Sequence, residues 1–380
     1  MSKIAIINRT NFKNYGSVLQ CYALCKAVKD IGYESEIVWE TGNLSKNFDF
    51  RPNKIVASVW KLITHPKLLS STLTNVSDLG SRVISEKTVE LFDEFVSMEI
   101  VQKKFSHREL VRIAKTDEYS KVICGSDQIW CSTTLYVDPL MYLRFAPEKK
   151  RIAYAPSIGR DFIPDYNKRR MKKYINAIPH LSIRESAGAR LIKELTGRDA
   201  EIVLDPTLLH TRSDWDLVKA DVKADTSYVL CYFLDAPSEE TQKKITEFAK
   251  SRGLAVIALG QKLEYCEAQG VSVLYPDCGP REFLSYVEMA DITITDSYHG
   301  MLFSIIYEKE FYSIERAYRQ YDQSSRQKTV LSALSLEDRY LSPSDEMKFV
   351  TEPVDYGRVE KILAQRRKES IAFLKNAIEN

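Results

Sequence analysis

The feature that most constrains this chain is an alternation that occurs in both halves: short apolar runs of strand length, separated by stretches with helical periodicity. In the first half, Ile4–Asn8, Glu36–Trp39, Lys121–Cys124, Arg151–Ala155, Leu181–Ile183 and Ala200–Leu204 read as strands. Between them, Ser17–Ile31 places Val18, Leu19, Tyr22, Leu24, Ala27, Val28 and Ile31 on one inner face, and Glu185–Leu195 reads as a second helix. Strands with continuous apolar runs are covered on both faces, which calls for a parallel sheet flanked by helices. The rhythm breaks between about 41 and 118, where polar turns and helical segments predict an insertion.

Asp205-Pro206 and the Asp-rich stretch Thr211–Asp225 predict a linker, after which the alternation resumes. Tyr228–Leu234, Leu254–Leu259, Asp291–Thr295 and Phe311–Ile314 read as strands; Glu239–Lys250, Pro280–Met289, His299–Tyr307 and Ser325–Leu334 read as helices. Residues 355–378 make a last amphipathic helix with Val359, Ile362, Leu363, Ile371, Leu374 and Ile378 on one side. The expected fold is α/β, with two Rossmann-like domains facing a cleft in the GT-B manner. The expected domains are 1–210 (acceptor side) and 225–345 (donor side), with a terminal helix at 355–380 crossing back to the first domain. A chain of 380 residues is long enough for this.

Net charge of +2 leaves no nucleic-acid footprint, so any cationic function must be local. The seven cysteines form no CxxC pair; Cys21 and Cys25, at i and i+4 in an apolar helix, read as buried thiols, and a reducing cytoplasm is the expected location. The first apolar run is far too short for a signal peptide or a membrane span.

Ligands in open α/β sheets sit beyond the carboxyl ends of strands. With only 14 glycines in the chain, glycines that follow strands are informative. Asn14-Tyr15-Gly16-Ser17 offers either a close backbone approach to a ligand at a helix N-terminus or a capping turn with Ser17 at the N-cap. It is not a dinucleotide fingerprint. Gly125-Ser126-Asp127-Gln128 offers hydrogen bonds to a sugar, or a plain Asx-turn. Gly159 belongs to no recognisable constellation. Arg184, at a strand end, suits an anion clamp or an ion pair with a neighbouring helix. Asp296-Ser297-Tyr298-His299-Gly300 is the sharpest motif: one of only five histidines, at a strand end and a helix start, is placed to protonate substrate or contact phosphate. Arg316, Arg319, Arg326 and Lys328 follow, interleaved with Tyr318 and Tyr321, as a basic run or a solvated face. No compact metal-ligand cluster is visible, so no metal is expected.

Taken in order, Asn-Tyr-Gly-Ser (14–17) with Leu19-Gln20 and Tyr22-Ala-Leu24, Gly-Ser-Asp-Gln-Ile-Trp (125–130), Ser-Ile-Arg-Glu (182–185), Val-Leu-Asp-Pro-Thr (203–207), Asp-Ser-Tyr-His-Gly (296–300) and Ser-Ser-Arg (324–326) resemble the polysaccharide pyruvyl transferase family. The resemblance implies a transferase of polysaccharide biosynthesis that needs no cofactor. It takes a carboxyethylidene group from phosphoenolpyruvate and sets it as a ketal across two hydroxyls of an oligosaccharide or lipid-linked glycan acceptor. It implies roles for His299 as general acid or phosphate ligand and for Arg184 as anion clamp. One of Arg316, Arg319 or Arg326 would help to hold the donor; the chemistry itself also needs a group to activate a hydroxyl, for which Asp127 is the candidate. Asn14, Gly16, Ser17, Gly125, Ser126, Gln128, Ser297, Gly300 and Ser325 fill the binding loops. Two departures from the family's pattern are Ser17, where many members carry aspartate, and Glu308-Lys309-Glu310, where many read Gly-Lys-Pro. Competing readings are a nucleotide-sugar glycosyltransferase or epimerase and a non-catalytic glycan-binding protein on the same fold.

Residues 54–69 add a separate expectation. Ile55, Val56, Val59, Trp60, Leu62 and Ile63 make an apolar face near Lys54, Lys61, His65 and Lys67, suited either to peripheral contact with the inner membrane leaflet or to packing on the first domain.

Overall fold

A computed structural model describes residues 3–8, 13–41, 52–66, 84–223, 226–316, 324–342, 349 and 352–380. The strands of the first half are β1 (Lys3–Ile7), β2 (Glu34–Glu40), β3 (Gln102–Phe105), β4 (Tyr119–Cys124), β5 (Arg151–Ala153), β6 (His180–Ile183) and β7 (Glu201–Ile202). They pair in parallel in the order β3-β2-β1-β4-β5-β6-β7. The second half holds β8 (Tyr228–Tyr232), β9 (Ala255–Leu259), β10 (Val273–Leu274), β11 (Ile292–Thr295), β12 (Glu310–Ile314) and β13 (Tyr340–Leu341), also all parallel, in the order β10-β9-β8-β11-β12-β13.

In both sheets the chain winds outward one way from the first strand and then returns to wind the other way. The reversal lies between β1 and β4 in one sheet and between β8 and β11 in the other. Loops leaving adjacent strands at such a reversal diverge to opposite faces and leave a crevice, which is where α/β sheets bind ligands.

Part of the stretch read as an insertion instead extends the first sheet: helix Glu86–Glu99 leads into β3, which pairs with β2. Ser85 caps that helix, accepting from Thr88 N at 3.0 Å, and Phe92 and Phe95 are buried. The first helix runs Tyr15–Asp30 with Val18, Leu19, Leu24 and Val28 fully buried, as its periodicity requires. Its N-cap is Asn14, whose side-chain oxygen accepts from Ser17 N at 3.0 Å, so Ser17 lies inside the helix and is not the cap. Within the Asp-rich stretch read as a linker, Arg212–Asp216 forms a short helix and Trp215 is buried against Phe303, ring centroids 4.9 Å apart.

The two halves share one apolar core. Tyr15 stacks on Phe92 and on Phe283, with centroids 5.1 and 4.7 Å apart, and its hydroxyl donates to Cys278 O at 3.1 Å. The last helix, Tyr356–Glu379, crosses back to the first half: Ser370 Oγ accepts from Leu204 N at 3.0 Å, and Arg367 Nε donates to Leu208 O at 2.8 Å.

Candidate functional site

The two reversals face each other, and the loops leaving them meet. Gly16 is the second residue of helix Tyr15–Asp30, beyond β1, and packs directly on His299. A Cβ built on Gly16 would lie 2.2 Å from His299 Nδ1, so only glycine lets the imidazole approach this closely. His299 itself starts helix Tyr298–Ile306 directly beyond β11, is 6% exposed, and keeps its Nε2 buried with no hydrogen-bond partner, 3.6 Å from Asp205 Oδ2. That distance is longer than a normal hydrogen bond but within ion-pair range, so the group that faces Nε2 is the Asp205 carboxylate.

Gly125 and Asp127 turn the chain sharply beyond β4, with φ of +133° and +70°, values that favour glycine and that aspartate tolerates. A Cβ at Gly125 would fall 1.8 Å from Tyr154 O, so the turn packs directly on the strand-end backbone of β5. This turn presents Ser126 and Asp127 to Arg184, which leaves β6. Arg184 donates from Nη1 to Asp205 Oδ2 at 2.5 Å and to Ser126 Oγ at 3.4 Å, and from Nη2 to Asp127 Oδ1 at 3.1 Å. Its guanidinium lies 4.6 Å from the centre of the Tyr298 ring, and that of Arg326 lies 5.4 Å from the same ring.

Of the residues singled out in the sequence, the structure therefore brings together Gly16, Gly125, Ser126, Asp127, Arg184, His299 and Arg326. Burial alone would raise the Asp127 and Asp205 carboxyls. At Asp127 the charges of Arg184, His299 and Arg326 outweigh it; at Asp205 those of His299 and Arg184 do, with the Thr207 N–H, so both carboxyls sit below the ordinary range. The Arg184 side chain is wholly inaccessible and its fork is taken by the carboxylates of Asp127 and Asp205, whereas the Asp127 side chain remains 24% exposed. A cavity adjoins the cluster, bordered by Arg184, Asp205, Leu208, Tyr298, Thr329 and Arg366.

Asn14 and Ser297 cap helices, Ser297 Oγ accepting from Gly300 N at 3.3 Å, and Gly300 packs against Thr295. Arg316 is held by Asp235 through Nε at 2.7 Å and Nη2 at 2.6 Å, away from Arg184 and against Asp296 at 3.7 Å. Ser325 begins helix Ser325–Leu334 with its hydroxyl buried. Arg319 lies outside the described residues.

Several contributors were not singled out by sequence reasoning. Asp205, which read as part of a linker, is the central acceptor of the cluster, and the Tyr298 ring lies against both of its guanidiniums. Glu185 is fully buried and accepts from Ser157 Oγ at 2.9 Å, Ile158 N at 2.7 Å and Gly159 N at 3.2 Å. Gly159 thus belongs to the site after all, and a Cβ there would press on the Gln128 side chain at 2.5 Å. The signal for Asp205 and Glu185 was present, since both lie within the quoted motifs, but nothing in a single sequence shows that a carboxylate is buried.

A second, aromatic cavity opens where β8 and β9 end, lined by Tyr15, Phe92, Tyr232, Phe233, Leu234, Gly260 and Tyr275, with Lys13 and Asp277 at it. Beside it Asp296, beyond β11, accepts from Leu234 N at 2.7 Å and Asp235 N at 3.0 Å. Burial raises this carboxyl to about 6 in spite of Arg316 and those two N–H groups.

Comparison with known proteins places these features. The family model described as polysaccharide pyruvyl transferase matches residues 14–318. No curated protein matches the sequence. Among solved structures, the S. aureus MnaA–UDP co-structure is similar with a TM-score of 0.51 at 10% identity, covering 96% of this chain and 88% of that one. The UDP-GlcNAc 2-epimerase from Methanocaldococcus jannaschii is similar with a TM-score of 0.50 at 10% identity, covering 95% and 92%. At such identity these likenesses show the fold, which is GT-B: two Rossmann-like domains face each other and the C-terminal helix crosses back.

Proposed function

The chain belongs to the polysaccharide pyruvyl transferase family, and from that premise we propose that it moves a carboxyethylidene group from phosphoenolpyruvate onto two hydroxyls of a glycan. The observation that carries the reading is His299: a buried imidazole at the meeting of both sheet reversals, packed on Gly16, with Nε2 3.6 Å from Asp205 Oδ2 and next in the chain to Tyr298, whose ring lies against the guanidiniums of Arg184 and Arg326.

In this reading His299 delivers a proton to the methylene carbon of phosphoenolpyruvate, which leaves C2 electrophilic. One acceptor hydroxyl bonds to C2 and gives up its proton to Asp127, the partly accessible carboxylate of the cluster. The C2–O bond to phosphate breaks and phosphate leaves with the electron pair. A second hydroxyl then bonds to C2 and passes its proton to His299, which gave one up in the first step, while the proton taken by Asp127 goes to the departing phosphate; this closes the ketal. Arg326 supplies charge to the phosphate or carboxylate of the donor. Arg184, held by Asp205 and Asp127, is a positioning residue that fixes the carboxylates at the site. The test is to incubate the protein with phosphoenolpyruvate and candidate oligosaccharides. The reading expects phosphate release that depends on the acceptor, with the mass of one ketal added per acceptor. Phosphate release without any acceptor product would overturn it.

A second reading, an enzyme acting on a nucleotide sugar, is favoured by the aromatic cavity at the ends of β8 and β9. Its aromatic walls fit a planar base, and the similar folds named above include a UDP complex. Three carboxylates (Asp127, Asp205 and Glu185) also stand against the two guanidiniums of Arg184 and Arg326 in the cluster, which leaves no net positive charge there for a small polyanion. Epimerisation or glycosyl transfer from a nucleotide sugar, with no effect of phosphoenolpyruvate, would establish this second reading in place of the first.

A further inference from the structure

Helix Pro52–Thr64 is turned inside out. Ile55, Val56, Val59, Trp60 and Ile63 stand at i, i+1, i+4, i+5 and i+8, on one face, and that face points to solvent: Val56 is 69% exposed, Trp60 67% and Ile63 66%. Lys61, on the other side, is the residue turned inward. Its Nζ donates to Asn167 Oδ1 at 2.7 Å and lies 5.0 Å from the centre of the Tyr166 ring, and burial together with Arg170 lowers it to about 8. A helix that only packed on the domain would do the reverse, burying its apolar stripe and exposing its lysine. Five of the ten strongly exposed large apolar side chains among the described residues lie on this one helix, so the exposure is concentrated and not scattered.

The neighbour that Lys61 touches supplies the second half of the surface. Helix Asp165–Ile175 carries Lys168, Arg169, Arg170, Lys172 and Lys173, all exposed, against a single acidic side chain, Asp165. In a chain of net charge +2 this is a strong local excess. The two helices meet through Lys61–Asn167 and through His65 and Tyr166, whose ring centroids are 5.2 Å apart.

We propose that the exposed face of Pro52–Thr64 and the basic run beside it seat the protein on an anionic lipid bilayer. An exposed apolar stripe with an interfacial tryptophan enters the boundary between headgroups and acyl chains, and adjacent lysines and arginines are drawn to anionic headgroups. A second copy of the chain fits less well, because a two-fold contact through this face would also bring the two basic runs toward each other. Pro52–Thr64, at 13 residues, is too short to cross a bilayer, so this contact is at its surface.

The test is flotation of the full chain with vesicles of phosphatidylglycerol and phosphatidylcholine, and with phosphatidylcholine alone. Co-flotation with the anionic vesicles is expected, with little on phosphatidylcholine alone. Trp60→Glu, and separately Arg169→Glu with Arg170→Glu, should each lower the bound fraction about tenfold or more. These side chains are exposed, so melting curves of the variants should match wild type. As a measurement independent of variants, tryptophan emission should shift to the blue on adding anionic vesicles, and the shift should vanish in Trp60→Phe. No co-flotation and no emission shift would overturn the proposal. So would equal binding by Trp60→Glu, or light scattering in which wild type is a dimer and Trp60→Glu a monomer.

Discussion

His299 is buried where the domains meet, and replacing it separates chemistry from packing. His299→Ala should lower turnover by about a hundredfold or more, the range of a lost general acid. Its melting temperature should fall by only a few degrees, because Asp205 keeps its contacts with Arg184, Ser126 and Thr207 when the imidazole is lost. Activity within a few-fold of wild type would remove the imidazole from the mechanism. Gly16→Ala acts on the same ring from the opposite domain. With its Cβ 2.2 Å from Nδ1, the histidine must move, and an overpacking cost of about 1–3 kcal/mol should accompany a loss of turnover. Arg184 behaves differently. Its removal strands Asp205 and Asp127 without their buried partner, so Arg184→Ala should cost about 3–5 kcal/mol of stability, read from denaturant unfolding. Wild-type stability combined with weakened donor binding would make it a direct anion clamp instead. At this scale the residue types that carry the cluster were legible, since Asp127, Arg184, His299 and Arg326 stand out in the sequence. Their partners were not. Asp205 looks like any aspartate before proline, and only the three-dimensional contact to Arg184 shows what it does.

At the scale of elements, the long apolar strands and periodic helices were legible because burial on both faces or on one face writes a period into the sequence. Of the four edge strands, only β7 was read, within Ala200–Leu204; the others were not. β3 is Gln-Lys-Lys-Phe, with two lysines, paired only with β2, so no apolar run announces it and its region read as an insertion. β10 and β13, two residues each at sheet margins, left no signal for the same reason. The loop between β11 and helix Tyr298–Ile306 makes a prediction about pH through Asp296. A carboxyl raised to about 6, against an unfolded value near 3.8, holds its proton more tightly in the native state. Its contribution is therefore most favourable below about pH 4 and is lost as pH rises through 6, by roughly 3 kcal/mol at about 1.4 kcal/mol per unit. Urea unfolding of Asp296→Asn against wild type should show the variant relatively more stable at pH 7.5 than at pH 4.5. An equal difference at the two values would mean that Asp296 does not titrate in this window.

At the scale of the whole molecule, the doubled alternation was enough to read two doubly wound domains and a returning helix. The site was not readable in the same way, because it is built by juxtaposition. Gly16 and His299 lie in different domains and are in contact only once both sheets present their reversals to one crevice. No periodicity encodes that meeting. The shared core around Tyr15, Phe92 and Phe283 fixes it, so a ligand held in the crevice should stabilise both domains together. A ligand that binds only the native state raises stability by about 2.7 kcal/mol at a hundredfold excess over its dissociation constant. The most direct measurement is thus a melting curve with phosphoenolpyruvate or with UDP-GlcNAc, in wild type and in His299→Ala. The account predicts a clear upward shift with phosphoenolpyruvate that shrinks in His299→Ala, and none with the nucleotide sugar. A shift with UDP-GlcNAc and none with phosphoenolpyruvate would contradict it.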